Sequence, residues 1–234
     1  MSGLVMEAAG VVKDLGVGVA QIRALKGVDL ALKGGELTLL MGPSGSGKTT
    51  LLSILGCMLT PTEGTVRVRG DSIAGKNPED LAKLRRENIG FVFQSYHLFP
   101  TLSAADNVRL ALDVRGETGK DAKDKARQAL ERVGLSSKTM NYPNELSGGE
   151  QQRVAIARAV VGDPSVILAD EPTAALDSEN GKAIMGILAA IAKDPGRGVL
   201  VVTHDPRLAP FADRIVHIED GNIVREEDGG ARKS

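Results

Sequence analysis

Gly42-Pro43-Ser44-Gly45-Ser46-Gly47-Lys48-Thr49 is the stretch that decides the fold. It meets every fixed position of the phosphate-loop pattern G-x-x-x-x-G-K-[ST]. Leu37-Thr38-Leu39-Leu40-Met41 ahead of it reads as a short buried strand. Thr50-Leu51-Leu52-Ser53-Ile54-Leu55 behind it reads as the first turns of a helix. Glycines let consecutive N–H groups turn inward around an anion. The helix start adds unpaired donors and partial positive charge. Gly42, Pro43, Ser44, Gly45, Ser46, Gly47 and Thr50 are therefore expected to cradle a triphosphate. Lys48 should reach its β- and γ-phosphates, and the Thr49 hydroxyl should ligate Mg²⁺.

The rest of the chain fits an α/β reading. Its 234 residues suit one large domain with room for a substantial core. Twenty-nine basic and thirty acidic residues leave a net charge of −1, so nothing chain-wide points to nucleic acid. The segment from Lys120 to Arg132 mixes both signs at helical spacing and reads as a solvated face. The single cysteine, Cys57, cannot form an internal disulfide and reads as a small buried apolar residue. The N-terminus lacks the basic and apolar regions of a signal peptide. The longest apolar run, Leu51 to Leu59, is too short to span a bilayer. A cytoplasmic protein is expected, with any membrane role arising through a partner.

Residues from about Val5 to Leu40 look β-rich, and Thr65 to Gly70 alternates like a half-exposed strand. Ile89-Gly90-Phe91-Val92-Phe93 reads as a buried strand ending at Gln94. From Ser95 to about Val161 the pattern turns helical. Val166-Ile167-Leu168-Ala169-Asp170 and Val199-Leu200-Val201-Val202-Thr203 are uninterrupted apolar runs, as in strands covered on both faces. Ile215 to Ile218 and Ile223-Val224 flank Glu219-Asp220-Gly221-Asn222, a hairpin signal. The tail from Glu226 is expected to fray. The expected architecture is a phosphate-loop NTPase core with a mainly parallel sheet and an N-terminal antiparallel β subdomain. A helical subdomain, residues 95–164, is inserted within one domain spanning 1–234.

Two further motifs carry chemistry. Asp170, at a strand's carboxyl end, can hold Mg²⁺. Glu171 would face the point from which water attacks the γ-phosphate, where a carboxylate can accept or orient its proton. In Leu146-Ser147-Gly148-Gly149-Glu150-Gln151-Gln152-Arg153, the residues Ser147, Gly148, Gly149 and Glu150 can form a second anion-binding set at a helix start.

This string resembles the signature of the ATP-binding-cassette (ABC) ATPases, and the other family motifs follow in order across about Val11 to Val224. Gln94 matches the Q-loop glutamine, which implies contact with Mg²⁺ or the lytic water. Ala174-Ala175-Leu176-Asp177 matches the D-loop, with alanine where many members have serine. His204 matches the switch histidine at the γ-phosphate. The resemblance implies ATP hydrolysis by Glu171, His204 and Gln94, with Mg²⁺ held by Thr49, Gln94 and Asp170. It also implies a head-to-tail dimer of two copies, each ATP clamped between Lys48 of one and Ser147 of the other. Leu15 falls where the family usually stacks an aromatic ring on adenine, which predicts weaker adenine affinity and looser base choice.

Arg85 to Gln94, Asn107-Val108 and Asp170 to Ser178 are similar to the ATPases of macrolide export, lipoprotein release and FtsE-type cell division. That similarity implies a membrane permease partner, docked near Tyr96-His97-Leu98-Phe99-Pro100, and a place on the cytoplasmic face of the cell membrane. Two other roles share the same strings: the ATPase of a polar amino-acid-type importer, and a regulatory ATPase gating a cell-wall enzyme without moving solute.

Overall fold

A computed structural model describes residues 3–16, 18 and 21–232. Two sheets organise them. β1 (Leu4–Leu15), β2 (Ile22–Lys33), β4 (Glu63–Val68) and β5 (Asp71–Ser72) form an antiparallel sheet in the order β2-β1-β4-β5. The larger sheet has the order β10-β9-β3-β8-β7-β6. Its strands are β3 (Leu37–Met41), β6 (Ile89–Val92), β7 (Val166–Asp170), β8 (Gly198–Thr203), β9 (Arg214–Glu219) and β10 (Asn222–Asp228). All its pairings are parallel except β9–β10.

The central strands are apolar throughout because both faces are covered. In β3, Leu40 joins one core with Leu168, Leu200 and Val202, while Leu39 joins the other with Ile167, Val199 and Val201. The first core holds helix α1 (Lys48–Leu55) between the two sheets, through Leu51, Leu52, Ile54 and Leu55. Cys57 is buried here, and burial pushes its thiol pKa up to about 11, so it is an inert apolar filler. The second core packs α3 (Ala104–Asp113), α4 (Gly119–Arg132), α5 (Gly148–Val160) and α6 (Ser178–Ala192) on the opposite face.

The tail corrects one expectation. β10 pairs with β9 as far as Asp228↔Arg214, and the Gly229 N–H donates to Asp213 O at 2.9 Å. Arg214 explains the order. Its guanidinium joins Glu36 (2.7 Å) and Glu226 (3.0 Å), fastening the charged edge strand to the sheet. A helix absent from the sequence reading, α2 (Pro78–Asn88), precedes β6.

Candidate functional site

Every helix start needs partners for its free N–H groups. Asn77, Ser103, Ser147 and Asp177 supply side-chain acceptors for α2, α3, α5 and α6. α1 and α4 have none; at α1 the cap is Gly47, at φ +102°, with no side-chain hydrogen bond. The first N–H groups of α1 follow directly on the phosphate loop, where an anion could accept them. A side chain at Gly47 would press on Ala24 O at 2.7 Å, and one at Gly42 would collide with the Ile218 carbonyl. The loop is also braced from behind by the β9–β10 turn, where Gly221 N–H donates to Ser46 O at 3.0 Å. Ser46 Oγ is buried with no hydrogen-bond partner among the described residues.

A cleft of about 750 Å³ opens over this loop. Of the residues singled out from sequence, Leu15, Pro43, Ser44, Gly45, Gly47, Lys48, Thr49, Thr50, Asp170, Glu171 and His204 line it. Gly42 and Ser46 belong to the same loop but are not part of the lining. Gln94 lies exposed just past β6 and is not part of the lining. Ser147, Gly148, Gly149 and Glu150 sit apart, at the start of α5. Ile22, Arg23, Ala24, Val202, Asp220 and Gly221 also line the cleft. The sequence places Val202 in a strand and Asp220-Gly221 in a turn, but none of the six carries a local signal for this cleft.

The charges in the cleft are arranged for an anion and a cation. Lys48 Nζ donates to Gly42 O (2.7 Å) and Pro43 O (2.6 Å), so the ammonium rests on the loop itself. Burial, then the neighbouring Glu171 carboxylate, raises the Asp170 pKa, against an opposing pull from Lys48. A divalent cation at Asp170 would relieve that strain. Among the described residues no group of three or more His, Cys, Asp or Glu side chains could hold a metal alone. Thr49 and Asp170 together fit Mg²⁺, which takes most of its ligands from phosphate and water. Glu171 Oε1 lies 2.6 Å from His204 Nδ1.

The signature segment is a closed capping box. Ser147 Oγ accepts from Glu150 N–H (3.3 Å), and Glu150 Oε2 accepts from Ser147 N–H (2.8 Å). A Cβ on Gly148 would stand 2.9 Å from the Tyr96 hydroxyl, so α5 begins against the segment that follows Gln94. Further along α5, Arg158 donates to Tyr96 O (2.7 Å) and His97 O (2.5 Å). Both residues have positive φ, +58° and +48°.

Comparison with known proteins agrees with this geometry. The family model described as ABC transporter matches residues 25–174. The chain is 45% identical over 97% of its length to the macrolide export ATP-binding/permease protein MacB of Salmonella choleraesuis (strain SC-B67). It is 47% identical over 88% of its length to the pyoverdine export ATP-binding/permease protein PvdT of Pseudomonas fluorescens (strain Pf0-1). The chain spans only 35% and 31% of those two relatives. Among solved structures, the dimeric ATP-binding cassette MJ0796 bound to ADP and Pi superposes with a TM-score of 0.86. The two are 43% identical, and the match covers 95% of this chain and 98% of that one. No helix among the described residues is long and apolar enough to cross a membrane. The chain belongs to the ABC transporter family, as an ATP-binding cassette.

Proposed function

We propose that this chain hydrolyses ATP to drive a membrane permease in an export-type ABC system. One observation carries the catalytic part: Lys48, Thr49, Asp170, Glu171 and His204 converge on one cleft around a helix start that has no side-chain cap. Lys48 leaves the Gly42 and Pro43 carbonyls for the β- and γ-phosphates. Thr49 and Asp170 would hold Mg²⁺, which would offset charge on those phosphates; Gln94, outside the cleft lining, would have to approach to join them. Glu171 orients the attacking water and accepts its proton, and His204 holds Glu171 and meets the γ-phosphate.

Two copies pair head to tail, so that Ser147, Gly148, Gly149 and Glu150 of one close over the triphosphate of the other. The separation of Ser147 from the Lys48 cleft within one chain supports this reading. So does the dimeric form of the MJ0796 cassette. ATP closes the pair and hydrolysis releases it. The helical segment 95–164 carries the signature and answers to the permease, which docks at Tyr96 to Pro100 on the cytoplasmic face of the membrane. Phe99 is 51% exposed there. The pairing of ATP-binding and permease parts in the relatives' names supports a permease partner, and the word export in those names supports the direction.

The test is capture. Glu171→Gln, expressed with its membrane and recovered in detergent with ATP, should retain a few-helix permease with a large extracytoplasmic region. A many-helix importer permease would move the assignment to uptake. A stable ATP-dependent dimer without any membrane protein would end the transport reading. Tyr96→Ala and Phe99→Ala should weaken permease capture while ATP binding persists.

A further inference from the structure

His204 has little packing to fix it. Its side chain is exposed, and Glu171 is the partner it meets. The place of the imidazole therefore depends on the backbone from Thr203 to Asp205. Thr203 ends β8 and is fully buried, which anchors one side. On the other side the chain enters a 3₁₀ segment, Pro206–Phe211, capped by Asp205. Asp205 N–H donates to Thr203 Oγ1 (3.1 Å), and Asp205 Oδ1 accepts from Arg207 N–H (2.9 Å).

The Arg207 guanidinium grips the same carboxylate. Its Nε reaches Oδ1 (2.9 Å) and Oδ2 (3.1 Å), and its Nη2 reaches Oδ2 (2.8 Å). Those bonds hold the Asp205 carboxyl below its usual 3.8. The remaining arm points across a cavity of about 280 Å³, where Arg207 Nη1 donates to Ser178 Oγ at 3.4 Å. Ser178 opens α6, next to its cap Asp177. Arg207 lies three residues beyond His204, and Ser178 seven beyond Glu171. The segments leaving β7 and β8 are thus bridged twice, by Glu171 with His204 and by Ser178 with Arg207. An ion pair as exposed as that of Arg207 adds little to stability. Its effect is on where the two segments stand.

We propose that Arg207 is a positioning residue for hydrolysis: held by Asp205, it ties the His204 segment to the start of α6 and so sets how His204 meets Glu171. The proposal rests on the roles given to Glu171 and His204 above and deepens them.

The experiment is steady-state ATP hydrolysis by the full chain, with Tm measured on every variant. Arg207→Ala should lower kcat about tenfold, since misplacing reacting groups by about 1 Å costs up to roughly a hundredfold. KM should stay within about twofold, because Arg207 does not line the nucleotide cleft, and Tm should hold. Arg207→Lys keeps the charge without the planar fork and should recover part of the rate. Ser178→Ala should slow turnover too, and adding it to Arg207→Ala should cost nothing further, as expected of one shared linkage. An unchanged kcat in Arg207→Ala would overturn the proposal. So would losses that multiply in the double variant, or a kcat that falls only in step with Tm. His204→Ala separates the two readings. If it is slow while Arg207→Ala matches wild type, the proposal alone fails. If it turns over like wild type, the role given to His204 fails and the proposal with it.

Discussion

His204 Nδ1 stands 2.6 Å from Glu171 Oε1, tying the end of β8 to the end of β7. The carboxylate is the protected member: its side chain is 17% exposed against 69% for the imidazole. Glu171 is also held through its backbone, whose N–H donates to Val202 O at 2.9 Å. Its φ of +46° is uncommon for a residue with a side chain. Backbone strain of this kind is kept where surrounding structure over-determines it. The strand that carries His204 thus aims Glu171 into the cleft from two directions.

Replacing Glu171 by Gln keeps the side chain's size and removes its basicity. Phosphate release should fall at least about a hundredfold, the scale of a lost general base. Nucleotide affinity should hold. His204→Ala should slow turnover as well, by freeing the carboxylate. Single-turnover phosphate release measures both, and a Glu171→Gln chain that keeps a tenth of the rate would rule out the assigned role.

Asp170 is a stability liability in the folded chain. Its pKa is raised above the usual 3.8 by burial and by Glu171. The folded chain therefore binds that proton more tightly than the unfolded one. Stability from this group falls as pH rises from 3.8 through the raised value. Asp170→Asn removes the buried charge, so Tm at pH 7 should rise while Mg²⁺-dependent turnover collapses. A melting curve with and without Mg²⁺ checks both, and a lower Tm would contradict the burial argument.

The α5 capping box separates folding from catalysis. Ser147→Ala loses one acceptor and should cost about 1 kcal/mol of stability. Glu150→Gln keeps the return hydrogen bond and should cost less. Hydrogen bonds to Ser147 hold the Glu150 carboxyl below its usual 4.5. Its contribution is present above that value and is lost as pH falls through the lowered one. Urea denaturation at pH 7 and at pH 4 should resolve this order. If Ser147 also meets a γ-phosphate across the dimer, its ATPase loss will far exceed its loss of stability.

Arg158 holds two carbonyls of a turn that carries consecutive positive φ angles, at Tyr96 and His97. Burial lowers its pKa, and hydrogen bonds from a charged group are each worth roughly 1.5–3 kcal/mol. Arg158→Ala should lower stability by about 3 kcal/mol, allowing for incomplete additivity. Arg158→Lys keeps the charge but replaces the planar fork with a shorter, compact head, and should fall between. Thermal unfolding ranks the three chains; equal Tm values would mean that the turn holds its shape without the guanidinium.

Much of the molecule is legible in the chain because its signals are local. The loop pattern from Gly42 to Thr49 reads directly, since backbone geometry demands glycine and lysine at set spacing. The runs Val166–Asp170 and Val199–Thr203 read as doubly covered strands because nothing polar interrupts them. α2 was equally local and still missed. Asn77, Pro78, Glu79 and Asp80 open it with a cap and acidic first turn, and Arg85 and Arg86 close it. Its apolar face is only Leu81 and Leu84, too thin to stand out from a loop.

From the sequence come the types of most elements, the order of strand, loop and helix around Gly42–Thr49, and the candidate residues for phosphate binding and proton transfer. Those follow from propensity, period and side-chain chemistry, which act over a few residues. Only the tertiary structure decided that β7 and β8 are neighbours, and hence that Glu171 meets His204 across 33 positions. It likewise decided that Leu15 faces Ile22, that Arg158 holds Tyr96, and that Arg214 pins a tail composed to fray. Each depends on strand order and on burial shared between distant segments, and long-range pairing leaves no mark in the local pattern of either partner.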